Sequence, residues 1–268
     1  MAKPVVLVTG ANTGIGFEAV KAFAASPNPY HIIVGSRSVE KGEAAIQQIK
    51  AEYPDSSTTL ELVQVDVTSD DSINAAFEAV SSKHEYIDAL VNNAGAVFDH
   101  WLGNNAGSVR DTFNKAWDVN VAGTHVMTYV FAPLLIKSPN TPRLVFITSG
   151  LSTLQGAAEN LVPPAHQRTI TPGWPKEGGI LPMGYRSSKA GMNMMMLGWH
   201  HMLAVDGVKT LCLSPGFLAT GLGGDQKRLE KMGAGPASLG GTFIKDVVDG
   251  QRDADVGKVI RRDGVQPW

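Results

Sequence analysis

The chain holds a single cysteine, Cys212, among 268 residues. One thiol excludes an intramolecular disulfide framework and a cysteine-built zinc site. Charge is scarce as well. Asp, Glu, Lys and Arg make up 18% of the chain, against about 25% in an ordinary soluble domain. Neither sign dominates, because 23 basic and 25 acidic residues leave a formal net charge of −2. That balance excludes a basic nucleic-acid binder by bulk electrostatics, and equally a disordered chain held open by self-repulsion. Long apolar runs are missing. The longest stretch that leans apolar, 126–136, contains Thr128, Tyr129 and Pro133, and it is far shorter than the roughly 20 residues a membrane span needs. No basic segment with a long apolar segment behind it opens the chain, since Val5 to Val8 runs straight into Thr9 and Gly10. The expectation is one soluble intracellular domain, cytoplasmic, with no membrane and no nucleic acid among its partners.

What the chain has is glycine, 29 residues or about 11% against about 7% usually, together with 43% hydrophobic residues. Short β-branched runs alternate with amphipathic stretches. Residues 4–9, 31–35, 60–65, 87–92, 143–148 and 208–213 read as strands, the last with Cys212 inside it. Residues 14–25 and 39–52 read as helices. A further helix starts after Ser69, an N-cap followed by Asp70 and Asp71, and it carries Ile73, Phe77 and Val80 on one stripe. Such alternation predicts an α/β fold: a single Rossmann-type, doubly wound parallel sheet of about seven strands, with helices on both faces. Ligands in such folds bind beyond the C-terminal strand ends. The positions to inspect are therefore Gly10, Ser36, Asp66, Asn93, Ser149 and Pro215. Two segments, 150–184 and 217–241, break the alternation. The first is proline-rich and reads as a substrate wall or as a passive surface insertion; the glycine-rich second reads as a mobile lid.

The turn Thr9-Gly10-Ala11-Asn12-Thr13-Gly14-Ile15-Gly16 lies between the first strand and the first helix. Gly10 permits a tight turn, Gly14 lets backbone approach a pyrophosphate, and Gly16 lets helix and strand close up. The helix behind it offers free N–H groups and the positive end of its dipole to phosphates. Three residues, not one, separate the first two glycines, so the spacing differs from the commonest dinucleotide fingerprint. At the end of the second strand an NAD-binding chain usually carries a carboxylate for the ribose 2′-hydroxyl. Here stand Gly35, Ser36, Arg37 and Ser38. Arg37 can fork onto a 2′-phosphate with help from Ser36 and Ser38, which favours NADP(H); it can equally be a solvated loop arginine. Asp66, followed by Val67, can accept from an adenine amino group or cap a helix.

Tyr185-Arg186-Ser187-Ser188-Lys189 is the sharpest feature. On a helix, Lys189 lies one turn beyond Tyr185 on the same face. An ammonium beside a phenol stabilises phenolate and lowers a pKa that is ordinarily about 10, giving a proton donor or acceptor usable near neutral pH. Ser149, just past a strand, can hydrogen-bond the same substrate oxygen.

Taken together these residues resemble the short-chain dehydrogenases/reductases of the classical type, over nearly the whole chain. The glycine turn matches the family's cofactor turn. Asn92-Asn93-Ala94-Gly95 matches its fourth-strand motif, with Asp88 upstream. Asn120 in Val119-Asn120-Val121 matches the helix asparagine of the catalytic tetrad; Ser149, Tyr185 and Lys189 match its other three members. Pro215 and Gly216, with Leu218 and Thr220, match the segment that covers the nicotinamide. The resemblance implies hydride transfer between NADP(H) and a small-molecule carbonyl or alcohol. Tyr185 supplies the proton, Ser149 orients the oxygen, Lys189 binds the ribose and tunes Tyr185, Asn120 holds a relay water, and Leu218 meets the carboxamide through its backbone. Ser149 and Tyr185 are 36 positions apart, which resembles the carbonyl-reductase-like branch with its long insertion. The reading is an NADPH-dependent reductase of a small or medium apolar ketone or aldehyde. The alternative is a member repurposed for cyclisation, isomerisation, sensing or scaffolding.

The segment after Lys189, with Met192, Met194, Met195, Met196, Trp199 and Met202, is apolar on nearly every side. It predicts burial beneath the insertion, or a helix–helix face in a homodimer; a monomer stays open. Pro133 predicts a kink. His200 and His201 point apart, and with no spaced His/Asp set no metal site is expected. Phe98, Trp101, Trp174, Met183 and Phe217 would line an apolar pocket or be partly buried in the ordinary way.

Overall fold

The computed structural model describes residues 3–101, 107–161, 171–174, 176 and 182–268. An eight-stranded sheet forms the centre, built from β1 (Val5–Val8), β2 (His31–Ser36), β3 (Thr59–Gln64), β4 (Ala89–Asn92), β5 (Arg143–Ile147), β6 (Lys209–Ser214), β9 (Val259–Arg261) and β10 (Gly264–Val265), in the order β10-β9-β6-β5-β4-β1-β2-β3. All neighbours are parallel except the β9–β10 hairpin. The six strands predicted from apolar runs are all present. The closing pair was not anticipated, because three- and two-residue strands are too short to show periodicity.

Along β1, β2 and β5 the residues alternate between two cores. Leu7, Ile33, Leu144 and Phe146 point to one side, and Val6, Val8, Ile32, Val34, Val145 and Ile147 to the other. A strand with both faces covered has no polar side, which is why these runs read as continuously apolar. The first core takes α3 (Asp70–Ser81), α5 (Thr124–Ile136) and α7 (Met183–Leu203); the second takes α1 (Gly14–Ala24), α2 (Val39–Glu52) and α9 (Ser238–Val248). Ser69 caps α3 as expected, and Ile73 and Val80 of its stripe are fully buried.

Helix α4 (Val109–Trp117) runs through a π-helical segment, Asp118–Gly123, into α5. This continuous helix is long and apolar enough to cross a membrane by length and composition, yet half of its apolar window is buried inside the fold. Met127, Phe131 and Leu135 are core residues. Pro133 lies within α5, which continues to Ile136.

The segment 217–241, read as a mobile lid, contains a small folded unit. β7 (Leu218–Ala219) pairs in parallel with β8 (Gly235–Pro236), and α8 (Gln226–Lys231) lies between them, N-capped by Asp225. Glycine content hid these elements, although Gly224 and Gly233, with φ of +96° and +87°, serve as turns around α8. Of the other insertion, the described part includes a 3₁₀ turn, Gly150–Ser152, and α6 (Leu154–Ala158). Pro163, Pro164 and Pro175 lie outside the described residues. Trp174 and Met183 are 79% and 54% exposed. On α7, Met192, Met196 and Trp199 are buried, while Met194 and Met202 face outward.

Candidate active site

The site forms where β1, β4 and β5 end. Thr9 follows β1, and its Oγ1 accepts the backbone N–H groups of Asn93 and Ala94, each at 3.0 Å. Asn93 Nδ2 donates in return to Thr9 O at 2.8 Å and Gly10 O at 3.2 Å. Adjacent strand ends are thereby clamped, and the glycine turn is held against the fourth-strand motif. Gly10 has φ +62°, and a Cβ there would sit 3.0 Å from Ala94 Cα. Gly14 has φ +58° and faces Thr220.

The start of α1 is open. Thr13 occupies its N-cap position without a side-chain cap bond, and its first turn carries no acidic residue. By contrast Ser38 caps α2, Ser69 caps α3, and Ser108 with Asp111 forms a capping box on α4. The first N–H groups of any helix need partners from outside it. Here they lie beside backbone that favours glycine, with Gly10 and Gly14 at positive φ, and the turn 12–16 could hold an anion such as a dinucleotide's phosphates. At the end of β2, Arg37 is exposed. Ser36 is buried and donates to Ser38 O at 2.8 Å, and Ser38 accepts from Lys41 N, so both hydroxyls are committed to the turn and Arg37 projects beyond it. Asp66 Oδ1 accepts from Thr68 N and Oγ1 at 3.0 and 2.8 Å, an Asx turn ahead of the Ser69 cap. Val67 O packs against Gly123 too closely for any side chain there.

Asn120 sits in the π-helical segment, fully buried. Its Oδ1 accepts from Ala96 N, and its Nδ2 donates to Ala96 O, each at 2.9 Å, and to Ser188 Oγ at 3.0 Å. Gly95 lies between Asn120 and Lys189: a Cβ on it would be 3.1 Å from Asn120 Oδ1 and 3.3 Å from Lys189 Nζ. Lys189 is buried, donates to Ile147 O at 2.8 Å, and has its Nζ 5.8 Å from the centre of the Tyr185 ring. Burial brings its pKa down to about 8. Burial also pushes the Tyr185 phenol above its ordinary 10.0, with a side-chain hydrogen bond from Ser149 working against it. The sequence-based expectation that Lys189 lowers the Tyr185 pKa does not hold in this form of the site, because the ammonium is turned to a backbone carbonyl and desolvation dominates. The predicted tetrad is nonetheless gathered: Ser149 against Tyr185, Lys189 one turn on, and Asn120 across Gly95. Pro215 is buried, Gly216 turns with φ +100°, and Leu218 and Thr220 are buried beyond it.

Three contributors were not legible in the sequence. Asp99 accepts from Gly184 N at 2.8 Å and Tyr185 N at 3.0 Å, capping the helix that carries Tyr185 from 85 residues away. Asn193 lies one turn past Lys189 and donates to Ser152 Oγ at 2.9 Å, while its Oδ1 accepts from Thr148 Oγ1 at 2.7 Å. Gln266, also buried, donates to Ser149 O at 3.3 Å and Ser152 Oγ at 3.2 Å. Only the placement of Asn193 at the next i+4 step of the Tyr185–Lys189 face was a usable signal. Phe98 and Phe217 are partly buried, and the Trp101 side chain lies outside the described residues.

The family model for short chain dehydrogenases matches residues 4–161. The short-chain dehydrogenase/reductase tropE of Talaromyces stipitatus is 44% identical over 270 residues, covering 99% of this chain and 98% of that protein. Among solved structures, the NADPH-bound carbonyl reductase from chicken fatty liver superposes with a TM-score of 0.79 at 23% identity, over 100% of both chains. The 3-oxoacyl-[acyl-carrier protein] reductase of Brucella melitensis in complex with NAD gives 0.74 at 21% identity, over 97% of this chain and 96% of that one. The last two are likenesses of fold. With a family match across more than half of the chain and a full-length relative at this identity, the protein is a short-chain dehydrogenase/reductase.

Proposed function

We propose that the chain is an NADPH-dependent reductase of a small or medium, fairly apolar ketone or aldehyde, working in the cytoplasm as a single domain. One observation carries this reading: Ser149, Tyr185, Lys189 and Asn120 converge beside a helix start whose N–H groups are left uncapped. The uncapped turn would hold the pyrophosphate and Arg37 the 2′-phosphate; the absence of a carboxylate at residues 35–38 supports NADP(H) over NAD(H). The bound dinucleotide supplies the hydride. Ser149 and the Tyr185 hydroxyl bind and polarise the carbonyl oxygen, and Tyr185 gives it a proton. A phenol held protonated by burial suits that donor role. Lys189, with a pKa near pH 8, carries the charge that favours phenolate once the proton has left. Asn120 fixes the Gly95–Ala96 backbone beside Lys189. The outward-facing Met194 and Met202 support a helix-to-helix homodimer over a monomer.

The test follows NADPH absorbance over a panel of ketones, aldehydes and quinones. Turnover is expected with an apolar carbonyl, and Tyr185→Phe should lower it by about 10²-fold or more while leaving NADPH affinity within twofold. NADPH binding without turnover of any carbonyl would favour a repurposed member and refute the reductase reading.

A further inference from the structure

Far from the catalytic residues, two imidazoles and a carboxylate meet on one face of the outermost strands. His31 opens β2, Glu61 lies in β3 on the same face, and His84 follows the end of α3. His31 Nε2 and His84 Nε2 lie 2.9 and 3.0 Å from the same oxygen, Glu61 Oε2. All three side chains are partly buried, the two rings are 4.7 Å apart, and the three candidate ligand atoms lie within 4.8 Å of one another. Among the described residues this is the one such grouping of His, Cys, Asp and Glu.

One carboxylate oxygen serves both imidazoles. Thr59 Oγ1 lies 2.8 Å from His31 Nδ1 and holds the orientation of that ring, as the outer partners of metal-binding histidines do. Lys83 Nζ bonds the other oxygen, Glu61 Oε1, at 2.7 Å, so Oε2 is the oxygen that faces the two Nε2 atoms.

We propose that His31 Nε2, His84 Nε2 and Glu61 Oε2 form a site for a first-row divalent cation of the zinc class, with water completing the coordination. Two imidazoles and a carboxylate are a ligand set suited to zinc. Metal–ligand bonds of about 2.0–2.2 Å in a tetrahedron put ligands about 3.3 Å apart, so the two 2.9–3.0 Å contacts open by a few tenths of an ångström and the two imidazole nitrogens, within 4.8 Å of each other, draw together around the ion. The ligands come from β2, β3 and the turn after α3, so the ion would fasten the sheet's edge strand to that helix. β2 places the cluster at the end opposite Arg37, about 20 Å away along six residues, so the inference is independent of the proposed reductase activity.

Zinc binding to the untagged full chain, measured by competition with a chromophoric chelator at pH 7.5, tests this. One Zn²⁺ per chain is expected, with proton release, and at 100 times the dissociation constant the midpoint of thermal unfolding should rise by about 5 °C or more. His31→Gln and His84→Gln, which keep a donor toward Glu61, should each weaken binding by about tenfold or more. Lys83→Met should tighten it by removing a competing charge. No saturable uptake up to 100 µM Zn²⁺, undiminished uptake in the His31→Gln/His84→Gln double variant, or unchanged affinity in Lys83→Met would overturn the proposal.

Discussion

Lys189 is a buried ammonium, and replacing it with Met should reveal the cost of burying it as a pH-dependent change in stability. In the unfolded chain its pKa is 10.5, and in the folded protein burial holds it at about 8. Below pH 8 both states carry the proton, so the penalty of a buried ammonium is fully present. Between about pH 8 and 10.5 the unfolded chain binds a proton that the folded chain has shed. Stability of the wild type therefore rises with pH in that window. Each pKa unit is worth about 1.4 kcal/mol, so from pH 7 to 9.5 this one group contributes about 2 kcal/mol. Lys189→Met has similar bulk but nothing to titrate. It also loses the bond to Ile147 O, a loss of about 1–3 kcal/mol that does not vary with pH. Urea unfolding of cofactor-free wild type and Lys189→Met, followed by tryptophan fluorescence at pH 7 and 9.5, isolates the pH-dependent part. The stability difference between the two proteins should move by about 2 kcal/mol in favour of the wild type at the higher pH. Parallel profiles would refute the claim that Lys189 is held down by desolvation.

Arg37→Asp should reduce the preference for NADPH over NADH by about tenfold or more, because a charge-assisted bond to the 2′-phosphate is replaced by repulsion; an unchanged ratio of dissociation constants would remove Arg37 from the cofactor site. Asp99→Ala strips two N–H bonds from the first turn of α7 and should cost about 1–2 kcal/mol in urea unfolding. It should also lower turnover at unchanged NADPH affinity. Equal turnover would mean that the cap does not position Tyr185.

The sheet was readable because its strands are buried on both faces, which makes runs such as Val5–Val8 and 144–147 continuously apolar. The glycine turn was readable because backbone conformation constrains residue type: Gly10 and Gly14 adopt positive φ. Tyr185 and Lys189 were readable because a helix fixes their spacing. Asp99 was not, since a carboxylate that caps a helix 85 residues downstream leaves no local pattern. The pKa direction of Tyr185 was missed for a related reason. Spacing places Lys189 near the phenol, but not whether its ammonium faces the ring or Ile147 O. The small unit of β7, α8 and β8 was hidden by its glycines, which mark turns and say little about the few residues between them.

The π-helical segment that carries Asn120 changes what a single deletion would do. An i→i+5 turn closes over one residue more than an α-helical turn does. Asp118–Gly123 therefore behaves like a one-residue insertion, with regular helix on either side. Deleting one residue there would let α4 and α5 join as an uninterrupted helix with their flanking faces in register, and the core around Met127 and Phe131 would survive. The pairing of Asn120 with Ala96 and Ser188 would not. At this point the chain carries a helical irregularity whose buried side-chain bonds, from Asn120 to Ala96 and Ser188, serve the site and not the apolar core.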